Sequence, residues 1–167
     1  MYRLLIRRAV AFVIDIALLF LILAPLGQLL RLALGWPSSS PTGQEIWAFV
    51  ALTFSLPTWT YFVLSDSSAR GATIGKRLLG LRVARVSGER VGTVRALLRT
   101  ALKVVPWETV HLSAFALSSD PAGLEFHQVI GLTLANLLAV VYFVVTVLTR
   151  GRRSVHDYVA ATEVCAM

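Results

Sequence analysis

One stretch of this chain constrains its fold more than any other: the apolar run that begins directly after Asp15 and meets no polar side chain before Gln28. A carboxylate at the head of such a run costs about 2.5–3.5 kcal/mol at the centre of a bilayer and less toward its interface. Arg8 lies seven residues earlier, so on a helix it shares a face with Asp15 but is roughly 10.5 Å away along the axis. Each residue therefore needs a partner from another part of the chain, or water.

Composition identifies the class of protein. Hydrophobic residues make up 56% of the 167 positions and charged residues 15%, which is too apolar for a soluble domain of this size. We expect one domain over residues 1–167, integral to a membrane. The net charge of +7 does not indicate nucleic-acid binding, because the basic residues lie between and beside the apolar runs, where they set topology and contact anionic headgroups.

Four stretches have the length of membrane spans, at about residues 9–34, 46–64, 96–118 and 129–149. The third is ambiguous because Pro106, Glu108 and His111 interrupt it; it could cross the membrane or lie in the interface. If it crosses, every basic residue except Arg31 lies on the cytoplasmic side, as the positive-inside rule requires. The pattern therefore favours an all-α polytopic protein of the plasma (inner) membrane, a four-helix transmembrane bundle with both termini cytoplasmic.

A basic segment, residues 66–103, separates the second and third stretches. Its β-branched residues around Ser87-Gly88 predict a short cytoplasmic β-hairpin over residues 81–91. Residues 71–76 form a glycine-containing turn that lacks the spacing of a nucleotide-binding phosphate loop. We expect Lys76, Arg77 and Arg82 to contact lipid headgroups.

Four motifs in this order resemble those of the RDD family of membrane proteins. They are Arg8-x-x-Ala11-x-x-x-Asp15, Gly71-x-Thr73-x-Gly75-Lys76-Arg77-x-x-Gly80-x-Arg82-Val83, Arg95-Ala-Leu-Leu-Arg99 and Arg153-x-x-His156-Asp157-x-x-Ala160-x-Thr162. The family is named for an arginine and two aspartates, which here correspond to Arg8, Asp15 and Asp157. One departure is Ala161, where the family often has glycine. The resemblance implies a membrane protein; some relatives are linked to transport, including sodium–proton antiport, and others act as partners in membrane complexes.

Asp15 has two interpretations. Its carboxylate could bind a cation or proton in turn, or it could form a structural ion pair with Lys76, Arg99 or Lys103. For Arg8, the four-pass arrangement predicts a salt bridge to Asp157 that joins the first helix to the tail. His156 is either a pH-sensitive group or only a neighbour of Asp157.

Other chemistry is weakly indicated. Glu108 and His111 share a helix face, but two ligands without a third do not make a metal site. Thr53, Ser55, Thr133 and Asn136 could line a pathway, although such groups more often hold helices together. The sequence shows no arrangement of nucleophile and base and no pair of catalytic carboxylates, so we expect neither an enzyme nor a cofactor.

Two functions remain. The first is a transport-related protein for a cation or proton that acts as a homo-oligomer, since four helices rarely enclose a pathway. The alternative is a non-transporting membrane scaffold or partner protein whose basic cytoplasmic loop binds lipid or another protein.

Overall fold

The computed structural model describes residues 2–36, 41–116 and 125–167. Three long helices have the length and apolarity to cross a membrane: α1 (Arg3–Leu34), the continuous helix Gly43–Ser67, and α6 (Phe126–Leu148). The helix Gly43–Ser67 consists of α2 (Gly43–Val50), a π-helical turn (Ala51–Ser55) and α3 (Leu56–Ser67). The all-α membrane class predicted from the sequence is confirmed.

The third predicted stretch forms α5 (Thr93–His111), which a π-helical turn extends over Leu112–Ala116. Residues 117 and 118, the end of that stretch, lie outside the described residues. This helix is not among the three that meet the criteria for a membrane span. The number of spans therefore stays a prediction.

The long helices run in alternating directions. At one end of the bundle Arg99 of α5 contacts Asp66 of α3, and near the other end Glu108 of α5 contacts Ser55. Gln128, at the start of α6, donates a hydrogen bond to the carbonyl oxygen of Ala114. We call the end that holds Asp66 and Arg99 the charged end.

Shorter elements close the charged end. They are α4 (Ile74–Leu78), β1 (Leu81–Arg85), α7 (Val155–Val159) and β2 (Thr162–Ala166). The two strands pair antiparallel, with Val83 opposite Val164, and these two valines belong to an apolar cluster with Leu81, Val91 and Ala96. The N-terminal part of α1 and the tail of the chain therefore lie at the same end.

The predicted hairpin over residues 81–91 is wrong. A turn does form after β1, where the N–H of Gly88 donates to the carbonyl oxygen of Arg85. The strand that pairs with β1 is nevertheless β2, close to the end of the chain. The reason is burial, because β2 supplies Val164 to the apolar face of β1, whereas residues 86–90 are exposed.

Candidate functional site

The carboxylate of Asp15 is enclosed by neutral hydrogen-bond donors. Its Oδ1 accepts from the hydroxyl of Tyr61 at 2.6 Å and from the backbone N–H of Gly75 at 2.7 Å. Its Oδ2 accepts from the hydroxyl of Thr73 at 2.6 Å. Asp15 is only 1% exposed, so these three bonds replace the water that a carboxylate requires.

The predicted ion pair of Asp15 is therefore not formed. Within the described part of the chain, none of the three expected partners, Lys76, Arg99 and Lys103, makes a salt bridge to it. The physical reason is that two hydroxyls and a backbone N–H already satisfy both carboxylate oxygens. The expected cations lie nearby and bind other groups.

The start of α4 delivers two of the three donors. Thr73 is the N-cap residue of this helix, and its hydroxyl accepts from the N–H of Lys76 at 3.3 Å while it donates to Asp15. Gly75 packs directly against α1: a Cβ atom at this position would lie 2.1 Å from the carbonyl oxygen of Ala11. The pattern Gly-x-Thr-x-Gly-Lys thus places a short helix against α1, and only glycine fits at the contact.

Asp66, which the sequence analysis did not single out, is the second buried carboxylate. Its Oδ1 lies 2.5 Å from Nζ of Lys76, and its Oδ2 lies 2.5 Å from Nη1 of Arg99. Its side chain is fully buried. One feature of the sequence could have indicated that Asp66 is buried: it directly follows the second apolar run, much as Asp15 precedes the first. A polar residue is also expected at the end of a membrane span, so this position alone did not distinguish Asp66 from an exposed residue.

Arg99 connects Asp66 to the tail. Its Nε donates to Oδ1 of Asp157 at 2.8 Å, while Nη1 holds Asp66. Asp157 also accepts hydrogen bonds from the hydroxyl of Thr162 and from the backbone N–H of Ser154. The second of these bonds is part of the capping box at the start of α7. Arg99 is 1% exposed, so both of its ion pairs are shielded from water and ions.

The contact of Arg8 with Asp157 that the sequence predicts is present. Nη2 of Arg8 lies 2.6 Å from Oδ2 of Asp157, and Nη1 donates to the carbonyl oxygens of Gly151 and Arg152. Five buried or half-buried charges therefore form one continuous series of alternating sign, which we call the charge chain: Lys76, Asp66, Arg99, Asp157 and Arg8. It joins α1, α3, α4, α5 and α7.

The charge chain alters the titration of groups outside the long helices. Burial alone would raise the pKa of Asp157, but the guanidinium groups of Arg99 and Arg8 hold it well below its usual value. Burial lowers the pKa of His156 well below its usual value, and the positive charges of Arg99 and Arg8 act in the same direction. Burial also lowers the pKa of Lys76, against the opposing effect of Asp66. His156 is consequently neutral at pH 7.

Lys103 lies one helical turn beyond Arg99 and contacts aromatic rings. Its Nζ is 3.1 Å from the ring centroid of Phe62 and 5.0 Å from that of Phe12. None of the ion pairs among the described residues includes Lys103. Its charge is therefore balanced only by aromatic faces and by carboxylates that already have closer partners.

Comparison with known proteins places these residues in a family. A family model, that of the RDD family, matches residues 2–161. The chain belongs to the RDD family. No curated protein and no solved structure matches it. The resemblance assigns the arginine and two aspartates of the family name to Arg8, Asp15 and Asp157, and this assignment stays a prediction. In this RDD protein the first and last of these are paired, while Asp15 has a separate set of partners.

The three basic residues expected to contact lipid differ in their surroundings. Lys76 is 7% exposed and binds Asp66, so the buried carboxylate holds its ammonium group inside the fold. Its contact with lipid headgroups stays a prediction. Arg77 and Arg82 are exposed in this RDD domain, and their contact with headgroups stays a prediction.

The other polar residues that the sequence suggested as site residues form hydrogen bonds with neighbouring groups. Glu108 accepts from Ser55 and from Nε1 of Trp59, each at 3.1 Å, and lies 3.8 Å from Nδ1 of His111. The described residues contain no group of three or more His, Cys, Asp or Glu that could hold a metal ion. Thr53 and Asn136 each donate to a carbonyl oxygen one turn back in their own helix.

Proposed function

We propose that this RDD protein is a non-transporting membrane scaffold or partner protein whose buried charges fasten its cytoplasmic end. The observation that supports this most is the state of the three buried aspartates. Asp15 has three neutral donors, Asp66 has two cations, and Asp157 has two cations and further donors. A carboxylate that takes up and releases a cation needs unoccupied oxygen lone pairs, and these carboxylates have closely placed partners instead.

The same contacts have a structural use. Removing one partner of a buried ion pair is strongly destabilising, typically by about 3–5 kcal/mol, because the other charge is left uncompensated. The charge chain joins five elements, from α1 near the start of the sequence to α7 near its end. We therefore assign it the role of a clasp that fixes the loops and the tail against the long helices.

For the membrane arrangement we propose four passes in the plasma (inner) membrane, with the charged end cytoplasmic. Two observations support this: the N-terminal part of α1 and the tail lie at one end, and the basic residues collect there. Alkaline phosphatase fused after Met167 tests it. We expect low reporter activity, whereas high activity would place the tail outside and overturn the four-pass arrangement.

The partners that fit this role are lipid and protein. The exposed Arg77 and Arg82 supply positive charge at the surface of the basic loop, which favours anionic headgroups or an acidic surface of another membrane protein. We expect a homo-oligomer or a complex with a membrane partner, and we expect no enzymatic activity, no cofactor and no binding of nucleic acid.

A second candidate, cation- or proton-linked transport by an oligomer, is favoured by one observation. Lys103 is an ionisable group near Asp15 that lacks a countercharge in direct contact within the described residues. A lysine of this kind could exchange a proton as Asp15 changes its partners.

A proteoliposome assay of cation–proton exchange separates the two candidates. Wild type, Asp15→Asn and Lys103→Met are reconstituted, with Arg82→Gln as a control that removes one exposed charge. The scaffold proposal expects no flux from folded wild-type protein. Flux that is lost in Asp15→Asn and Lys103→Met, and kept in Arg82→Gln, would overturn it in favour of transport.

A further inference from the structure

A cavity of about 280 Å³ lies at the charged end, between α1 on one side and α5, α6 and α7 on the other. Four cationic side chains line it: Arg8, Lys76, Arg99 and Lys103. Asp15 is the one carboxylate among its described lining residues, and both oxygens of Asp15 have donors. Asp66 and Asp157 neutralise part of this charge through their ion pairs with Lys76, Arg99 and Arg8. The cavity therefore has a modest net positive charge, and Lys103 is the lining cation that forms no ion pair among the described residues.

Several donors at this cavity have no acceptor within the described structure. Lys103 has three ammonium protons and contacts only aromatic rings. Arg99 uses Nε and Nη1 for its two aspartates, which leaves Nη2 without a hydrogen bond among the described residues. These two cations lie one helical turn apart on α5, so both reach the same space.

His156 is a further polar group at this cavity. Its Nε2 lies 3.1 Å from Nη2 of Arg8 and 3.4 Å from Oδ2 of Asp157, while the other ring nitrogen is Nδ1. That Nδ1 is buried and has no partner among the described residues. His156 lines the cavity beside Arg8 and Arg99.

The outer side of the cavity, between α1 and α6, is apolar. Phe12 of α1 and Phe143 of α6 line it and are 46% and 65% exposed. Leu5 and Ala9 continue this wall along α1. A ligand that reaches the cations from this side must therefore have an apolar part next to a negatively charged part.

We propose that this cavity binds the phosphate group of an anionic ligand, in the form of a membrane lipid whose glycerol and acyl part lies between Phe12 and Phe143. The phosphate accepts hydrogen bonds from Lys103 and Arg99 and neutralises the unpaired charge of Lys103. This site is distinct from the exposed arginines of the basic loop, and it does not depend on whether the protein is a scaffold or a transporter.

Titration of the purified full-length protein in an uncharged detergent tests the proposal. The probes are dioctanoyl phosphatidylglycerol, dioctanoyl phosphatidylcholine and inorganic phosphate, and the readout is the shift of the thermal unfolding midpoint with ligand concentration. We expect saturable binding of phosphatidylglycerol, about tenfold tighter than that of phosphatidylcholine. If inorganic phosphate binds as tightly as phosphatidylglycerol, the anion site stands and the lipid assignment is overturned.

Two pairs of variants locate the site. Lys103→Met keeps an unbranched side chain one atom shorter and removes its charge, and we expect it to weaken binding of phosphatidylglycerol about tenfold. Arg82→Gln removes one exposed charge from the same end and should bind as wild type does. Equal binding of the two dioctanoyl lipids, or equal loss in both variants, would overturn the proposal.

The second pair guards against a folding defect in Lys103→Met. Lys103→Arg keeps the charge and should retain lipid binding. Ala9→Phe narrows the apolar mouth without touching an ion pair, so it should weaken binding of phosphatidylglycerol and leave binding of inorganic phosphate unchanged. Undiminished lipid binding in Ala9→Phe would contradict entry between α1 and α6.

Discussion

Replacing Asp66 by asparagine tests whether the charge chain holds the fold together. The substitution keeps the size of the side chain and removes one negative charge. Among the described residues, Lys76 then has no ion pair, and Arg99 keeps its ion pair with Asp157. Lys76 and Arg99 are both buried, so water does not take the place of the lost carboxylate.

The magnitude follows from burial. A buried ion pair that loses one partner typically costs about 3–5 kcal/mol, whereas an exposed pair contributes about 0.2–1 kcal/mol. The exposed pair of Arg85 with Glu89 provides the matched control through Glu89→Gln. We therefore expect Asp66→Asn to lower the free energy of unfolding by about 3–5 kcal/mol and Glu89→Gln to lower it by less than about 1 kcal/mol.

Titration of SDS into mixed micelles, followed by intrinsic tryptophan fluorescence, measures both variants against wild type. Asp66→Asn combined with Lys76→Met should recover part of the loss, because the double variant also removes the ammonium group that Asp66→Asn leaves without its carboxylate. A loss below about 1 kcal/mol in Asp66→Asn, similar to that of the exposed control, would refute the assignment of a structural clasp.

Three further perturbations test local features of the charged end. Ala161 has φ 51°, a left-handed conformation that glycine adopts without strain, so Ala161→Gly should raise the free energy of unfolding by about 1 kcal/mol. The control Ala160→Gly, at φ −81°, should lower it. The opposite order of the two free energies would contradict this reasoning. Gly75→Ala places a Cβ 2.1 Å from a carbonyl oxygen of α1 and should lower the free energy of unfolding by at least about 1–3 kcal/mol. In the control Gly92→Ala, the added Cβ meets nothing within 4 Å. An equal loss of stability in the two variants would exclude the close contact at Gly75. Burial lowers the pKa of His156, so below about pH 6.5 the unfolded chain binds a proton that the folded chain does not. Stability should therefore fall as the pH is lowered from about 7.5 to 5.5, and His156→Gln should remove this effect. An unchanged pH dependence in that variant would refute the reasoning.

The long helices could be predicted from the sequence because their signal is local. A run of apolar residues of sufficient length satisfies its backbone hydrogen bonds internally and faces lipid with its side chains, wherever the rest of the chain lies. The contact of Arg8 with Asp157 could also be predicted, because the distribution of basic residues places both ends of the chain on the same side of the membrane. Neither inference required knowledge of which side chains touch in the interior.

The partners of Asp15 and the pairing of β1 could not be predicted in the same way. The three donors to Asp15 are neutral, and a hydroxyl or a backbone N–H carries no signal that distinguishes it from many others in the sequence. For β1, the turn at Ser87-Gly88 is real, but the apolar side chain that completes the sheet comes from Val164, far along the chain. Both cases depend on contacts between distant segments.

The short helix α4 explains why the two kinds of buried carboxylate occur together. Thr73 and Gly75 donate to Asp15, and Lys76, the next residue, binds Asp66. One helical turn thus holds α1 through neutral donors and α3 through a charge. Because α4 is too short to be stable alone, its position depends on both aspartates, and loosening either contact weakens the other. The packing of α4 against α1 brings the donors of Thr73 and Gly75 to the carboxylate of Asp15. This carboxylate can therefore be buried without a cation as its partner.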